Sequence, residues 1–103
     1  MEFIETSCFS RKVHRHLDDE EFADLQVHLM LYPEAGDVIP HSGGIRKIRW
    51  KSHGKGKRGG LRIIYFNRLS HGKIWLLDIY AKNQQEYISI EELRILRHEV
   101  TND

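Results

Sequence analysis

Ten basic side chains, Arg46, Lys47, Arg49, Lys51, Lys55, Lys57, Arg58, Arg62, Arg68 and Lys73, fall in a forty-residue stretch between Asp37 and Asp78 that contains no carboxylate. The other sixty-three residues hold all fifteen carboxylates against six Lys and Arg, so the formal net charge of +1 hides a strong internal separation of charge. Clustered guanidinium and ammonium groups have phosphates as natural partners, which makes nucleic acid the first candidate ligand. Lys47 and Arg49 alternate with Arg46, Ile48 and Trp50, so in a strand the first two share a face and form a phosphate-binding row. On the next apolar run Tyr65 shares the face of Leu61, and Phe66 shares that of Arg62. An arginine there has two readings: it covers a sheet edge and pairs with a carboxylate such as Asp78, or its planar fork faces a phosphate. Basic neighbours favour phosphate. Tyr80 and Lys82 close a further apolar run where the chain changes direction. Alone, Tyr80 is ordinarily a half-buried aromatic and Lys82 a solvated loop residue, so their weight rests on lying beside the basic strands.

Other chemistries are poorly served. Seven histidines invite acid–base or metal readings, but His14 and His16 diverge on a helix and no His-x-x-x-His or Cys-x-x-Cys pair exists. Only His53, inside the basic loop, is a candidate contributor. The run Gly54 to Gly60 lacks the Gly-Lys-Ser/Thr ending and following helix of a nucleotide cradle. Cys8 is the single cysteine, which excludes an internal disulfide and a Cys-based zinc site and suits a reducing compartment, the cytoplasm. The N-terminus lacks signal-peptide character and no stretch approaches about 18 consecutive apolar residues, so neither secretion nor membrane insertion is expected. No metal or cofactor is called for.

The elements that must position these groups are legible in the periodicity. With 103 residues the chain is expected to be one domain with a shallow site. Glu2 to Thr6 reads as a short edge strand. Ser7 is the expected N-cap of a first helix with Phe9, Val13 and Leu17 on one stripe. Asp18 and Glu21 form a capping box before Phe22, Leu25, Leu29 and Tyr32, predicting a second helix ended by Pro33. Pro33 to Gly44 reads as a loop. Three strands follow, Ile45 to Lys51, Leu61 to Arg68 and Lys73 to Tyr80, with Leu69 to Gly72 as a hairpin turn and a flexible basic loop over Ser52 to Gly60. Ser89 and Glu92 then cap a short C-terminal helix. The expected class is α+β: two N-terminal helices on a small, mostly antiparallel sheet, made of a three-strand meander plus the N-terminal edge strand, and a C-terminal helix.

Three blocks in this chain, Gly43 to Trp50, Gly54 to Tyr65 and Tyr80 to Asn83, resemble the HigB-like branch of the RelE/ParE toxin superfamily, in order and over nearly the whole length. The resemblance implies the toxin of a bacterial type II toxin–antitoxin pair, a ribosome-dependent endoribonuclease that cleaves mRNA in the A site. It implies metal-free attack of a 2′-hydroxyl on the adjacent phosphate, leaving a 2′,3′-cyclic phosphate and a 5′-hydroxyl. On this resemblance Arg62 matches the sheet arginine that faces the scissile phosphate and would stabilise the transition state. Lys82 matches the lysine after the last strand, and Tyr80 and Lys82 join Arg62 as catalytic candidates. A lysine acting as general base must lose much of its reference pKa of about 10.4, which neighbouring cations favour. Arg46, Lys47, Arg49, Lys51, Lys55, Lys57 and Arg58 would hold mRNA and ribosomal RNA, with Tyr65 or Tyr80 stacking on a base. The chain departs from some RelE proteins in having Asn83, not arginine, after Lys82, and Tyr87 matches their C-terminal tyrosine only approximately. Implied partners are the ribosome, mRNA and a cognate antitoxin of helix-turn-helix type, with no membrane. Two alternatives share the fold: a ParE-like toxin that inhibits DNA gyrase by binding, and a catalytically inactive nucleic-acid-binding homologue.

Overall fold

Where each helix begins is set by a side chain able to take a backbone N–H that the helix leaves unpaired. In the computed structural model, which describes residues 1–51, 60–85 and 87–101, helix α1 (Ser7–His16) is capped by Thr6 and not by the expected Ser7. Thr6 is buried against the last strand, where one hydroxyl serves two backbone groups: it accepts from the Phe9 N–H at 3.1 Å and donates to the Leu77 carbonyl at 2.7 Å. Helix α2 (Asp19–Leu31) starts at the predicted capping box, with Asp18 accepting from the Glu21 N–H at 2.8 Å and Glu21 accepting from the Asp18 N–H at 3.1 Å. It stops at Leu31 because Pro33 disfavours helical geometry at Tyr32 and has no N–H to donate. Ser89 caps the C-terminal helix α3 (Ile90–Glu99), accepting from the Glu92 N–H at 3.1 Å.

The strands are β1 (Glu2–Glu5), β2 (Asp37–Val38), β3 (Arg46–Trp50), β4 (Leu61–Arg68) and β5 (Lys73–Ala81). Among the described residues they form one sheet in the order β1-β5-β4-β3-β2. The meander β3-β4-β5 is antiparallel as expected, and β1 lies at the edge, parallel to β5. Strand β2 is an addition: it falls inside the expected Pro33 to Gly44 loop and pairs Asp37 with Lys47 and Val38 with Arg46. A single 3-10 turn, Leu69–His71, closes the β4–β5 hairpin, with Gly72 taking the left-handed exit at φ +65°.

Both faces of the sheet are covered in part. Helices α1 and α2 pack Phe9, Val13, Leu17, Leu25 and Leu29 onto Leu61, Ile63, Tyr65, Ile74 and Leu76. On the opposite face α3 packs Leu93 and Leu96 onto Ile64, Phe66, Trp75, Leu77 and Tyr80. Strand β5 therefore changes phase within its length, since Trp75, Leu77 and Tyr80 share a side although strict alternation would put Tyr80 with Ile74 and Leu76. The break is a bulge. Ile64 pairs with Asp78 and the next residue, Tyr65, pairs with Leu76, so an extra residue is accommodated on β5. Asp78 steadies that point by accepting from the Ile79 N–H at 2.8 Å and from Lys12 Nζ at 2.9 Å.

Candidate nucleic-acid interface

Register brings three of the predicted residues into one row. Arg49 pairs with Arg62 across β3 and β4, and Arg62 pairs with Tyr80 across β4 and β5, all on the face that carries α3. One position along, Lys47 lies opposite Ile64 and is flanked on its other side by Asp37 of β2. Asp37, Lys47, Arg49, Arg62 and Lys82 line a cleft of about 440 Å³. Like charges directly opposite each other in a sheet are destabilising, so an Arg–Arg cross-strand pair is a poor structural choice and a good anion site. Lys47 and Arg49 are exposed, Lys82 is half-buried, and Arg62 is only 5% exposed. Arg62 is anchored in part by donating from Nη1 to the Leu61 carbonyl at 3.3 Å.

The competing reading of Arg62, as the partner of Asp78, is weakened by the ion pair that Asp78 makes with Lys12 of α1 at 2.9 Å. The Cys8 thiol also donates to Asp78, at 3.4 Å. Burial first, and then the Asp78 carboxylate, push that thiol above its ordinary pKa, so Cys8 is held as the unreactive thiol.

Tyr80 is placed beside Arg62 but not at the surface of the cleft. It is 4% exposed, and its buried hydroxyl has no hydrogen-bond partner among the described residues. Burial raises its pKa, the Arg62 charge works against that rise, and Asp78 and Glu92 add to it. Tyr80 thus stays a phenol at neutral pH, and the expectation that it stacks on a base is corrected: the ring is enclosed by α3.

Two more expectations are corrected by strand phase. Arg46 lies on the opposite side of β3 from Lys47 and Arg49, and its Nη1 donates to the carbonyls of Gly36, at 2.7 Å, and Glu34, at 3.3 Å. It fastens the segment leading into β2 instead of facing the cleft. Tyr65 is 0% exposed beneath α1 and α2, and its hydroxyl accepts from the Gly36 N–H at 2.8 Å and donates to the Pro33 carbonyl at 3.0 Å. A Cβ at Gly36 would lie 2.8 Å from that ring, which is why glycine stands there. Tyr65→Phe is expected to cost about 1–3 kcal/mol by stranding the Gly36 N–H, read by urea unfolding. A loss of RNA affinity with stability intact would instead show that the ring contacts RNA.

Lys51 follows β3 and is exposed. Lys55, Lys57, Arg58 and His53 lie outside the described residues. The residue that sequence reasoning missed is Asp37, which entered only as the acidic boundary of the basic stretch. Nothing in its local sequence announces a two-residue strand; only pairing with Lys47 brings its carboxylate to the cleft.

No protein-family model matches the sequence. Among solved structures, the chain is similar to a double arginine-to-alanine variant of the E. coli toxin RelE in its free state, with a TM-score of 0.60 and 14% sequence identity. The match covers 92% of this chain and 94% of that one. At that identity the likeness is one of architecture, and the chain has the α+β fold of the RelE toxin.

Proposed function

We propose that this protein is the toxin of a type II toxin–antitoxin pair, of the HigB-like branch, and that it cleaves mRNA in the ribosomal A site. The observation that carries this reading is the Arg49–Arg62 pair, two guanidinium groups opposed across a sheet and opening on a cleft with Lys47 and Lys82. Attack of a 2′-hydroxyl on the adjacent phosphate passes through a transition state with more charge on its equatorial oxygens than the ground state. Fixed cations aimed at those oxygens therefore lower the barrier. Arg62 has that role, and Lys47 and Arg49 hold the flanking backbone. The O2′–P bond forms as the 2′-hydroxyl proton passes to a base in the cleft, for which Lys82 is the assignment; the P–O5′ bond breaks and the 5′-oxygen takes a proton from water, giving the cyclic phosphate and a 5′-hydroxyl. The proposed partners are the ribosome, mRNA and a helix-turn-helix antitoxin, in the cytoplasm. Among the described residues, no helix is long and apolar enough to cross a membrane.

Tyr80, enclosed next to Arg62, acts in this scheme as a positioning residue. Tyr80→Phe removes a buried hydroxyl that makes no bond among the described residues, so thermal stability is expected to hold or rise slightly. Cleavage is expected to fall by less than about tenfold, below the 10²–10⁴ of a direct proton donor. A larger fall with unchanged message binding would return Tyr80 to proton transfer.

The deciding experiment adds purified protein to a translating extract and maps message 5′ ends by primer extension. Codon-positioned cuts that vanish in Arg62→Ala support the proposal. Uncut message with DNA supercoiling blocked would replace it with gyrase inhibition, and neither effect would leave a nucleic-acid-binding homologue.

A further inference from the structure

The face of β4 that carries Arg62 continues through Ile64 to Phe66, four residues and roughly 13 Å further along the strand. There a second cleft, of about 470 Å³, opens between the 41–43 turn and the last turns of α3. It is lined by His41, Ser42, Gly43, Arg94, Arg97 and His98, together with Val100, and no carboxylate is among these lining residues. Arg97 is held in place twice, with its guanidinium 4.3 Å from the centroid of the Phe66 ring and its Nε–H donating to the Gly43 carbonyl at 3.3 Å. A guanidinium fixed in this way has less freedom to lose on taking an anion.

The opposite wall is equally set. The Ser42 hydroxyl donates to the Ile39 carbonyl at 2.6 Å and accepts from the Ile45 N–H at 3.0 Å, which locks the turn. His41 sits at φ +60°, a left-handed conformation that non-glycine residues seldom keep without cause, and it does so where it lines the cleft. Helix electrostatics explain part of the cluster, because Arg97 and His98 occupy the last turn of α3, where cations complement the free carbonyls. They do not explain Arg94, a turn earlier, or His41, which comes from a different segment.

We propose that this cleft is a second anion site that holds a backbone phosphate of RNA, with Arg94 and Arg97 as its principal ligands. It rests on the function proposed above for the identity of the polyanion. RNA is favoured over an acidic protein segment because the site shares a sheet face with the Arg49–Arg62 pair, so one strand of phosphates meets cations at both.

The test uses the full chain and a labelled single-stranded 2′-O-methyl RNA, which binds but cannot undergo 2′-hydroxyl attack. Affinity is followed by fluorescence anisotropy across a salt series. Loss of one phosphate contact lowers the slope of log K against log salt by roughly 0.7, and Arg94→Gln/Arg97→Gln is expected to show that change. Arg15→Gln, exposed on α1, is expected to show none. Because Arg97 also packs on Phe66, the exposed Arg94→Gln alone is measured beside it, with melting curves for each, and is expected to shift the slope in the same direction. Slopes equal to wild type in folded double and single variants overturn the proposal, as does loss of affinity for a poly-glutamate peptide with RNA binding intact. Wild-type cleavage in the extract with no slope change sinks this site alone. A slope change in a protein that cuts no message sinks the proposed activity and leaves the site.

Discussion

Arg62→Ala is expected to lower the rate of message cleavage by about 10²–10³-fold, the usual effect of deleting one preorganised charge at a developing oxyanion, while the protein stays folded. The fold should tolerate it because Arg62 stands directly across from Arg49. Deleting one of two opposed cations relieves repulsion and offsets the packing lost with the arginine stem. Arg62→Lys keeps the charge but loses the planar fork, so it should recover only part of the rate. Arg49→Ala, at an exposed position, should weaken message binding more than it slows the chemical step. Initial rates of primer-extension product in a translating extract, with circular-dichroism melts of the same preparations, separate these effects. Activity within tenfold of wild type would remove Arg62 from the chemistry, and inactivity accompanied by unfolding would make its role structural.

Much of this arrangement was readable in the sequence, for identifiable reasons. Alternation on β3 separates Lys47 and Arg49 from Arg46, and the Asp18–Glu21 capping box, the Ser89 cap and a helix-ending proline mark where helices start or stop. Those are local signals, carried by residues a few positions apart. Asp37 joins the cleft only because a two-residue strand happens to pair with Lys47, and no periodicity exists over two residues. Thr6 displaced Ser7 as the cap through a bond to Leu77, seventy-one positions away. Tyr65 reads as a base-stacking ring because aromatic character is visible in a sequence and burial under α1 and α2 is not. Tyr80 is the more instructive case. Its neighbour across the sheet is Arg62 only because β5 carries a bulge, and counting by twos from Trp75 would have turned it to the other face.

That bulge makes Lys12→Ala the second large expected effect. Asp78 is 2% exposed and its ion pair with Lys12 links α1 to the residue that follows the extra one, Leu77, at the bulge. Breaking a buried pair from one side strands the remaining charge and typically costs 3–5 kcal/mol; the Ile79 and Cys8 donors remain, so about 2–4 kcal/mol is expected here. For a domain of this size that is on the order of 15 °C in melting temperature. Replacing both partners with leucine should recover much of the loss, because no charge is then left in the interior. Burial alone would lower the Lys12 pKa, but its hydrogen bond to Asp78 and the attraction of that carboxylate outweigh it, and the net shift is upward. The folded state therefore holds this proton more tightly than the unfolded chain. The stabilisation is fully present at neutral pH and fades only as pH rises above about 10.4, where wild type and Lys12→Ala should converge. If the pair also sets the phase of β5, Lys12→Ala should lose cleavage beyond what its unfolded fraction explains, since Tyr80 would no longer back Arg62. Urea unfolding of the single and double variants, with cleavage rates taken where each is folded, distinguishes the two. Full activity in a destabilised Lys12→Ala would show that the pair holds the fold together but does not phase the site.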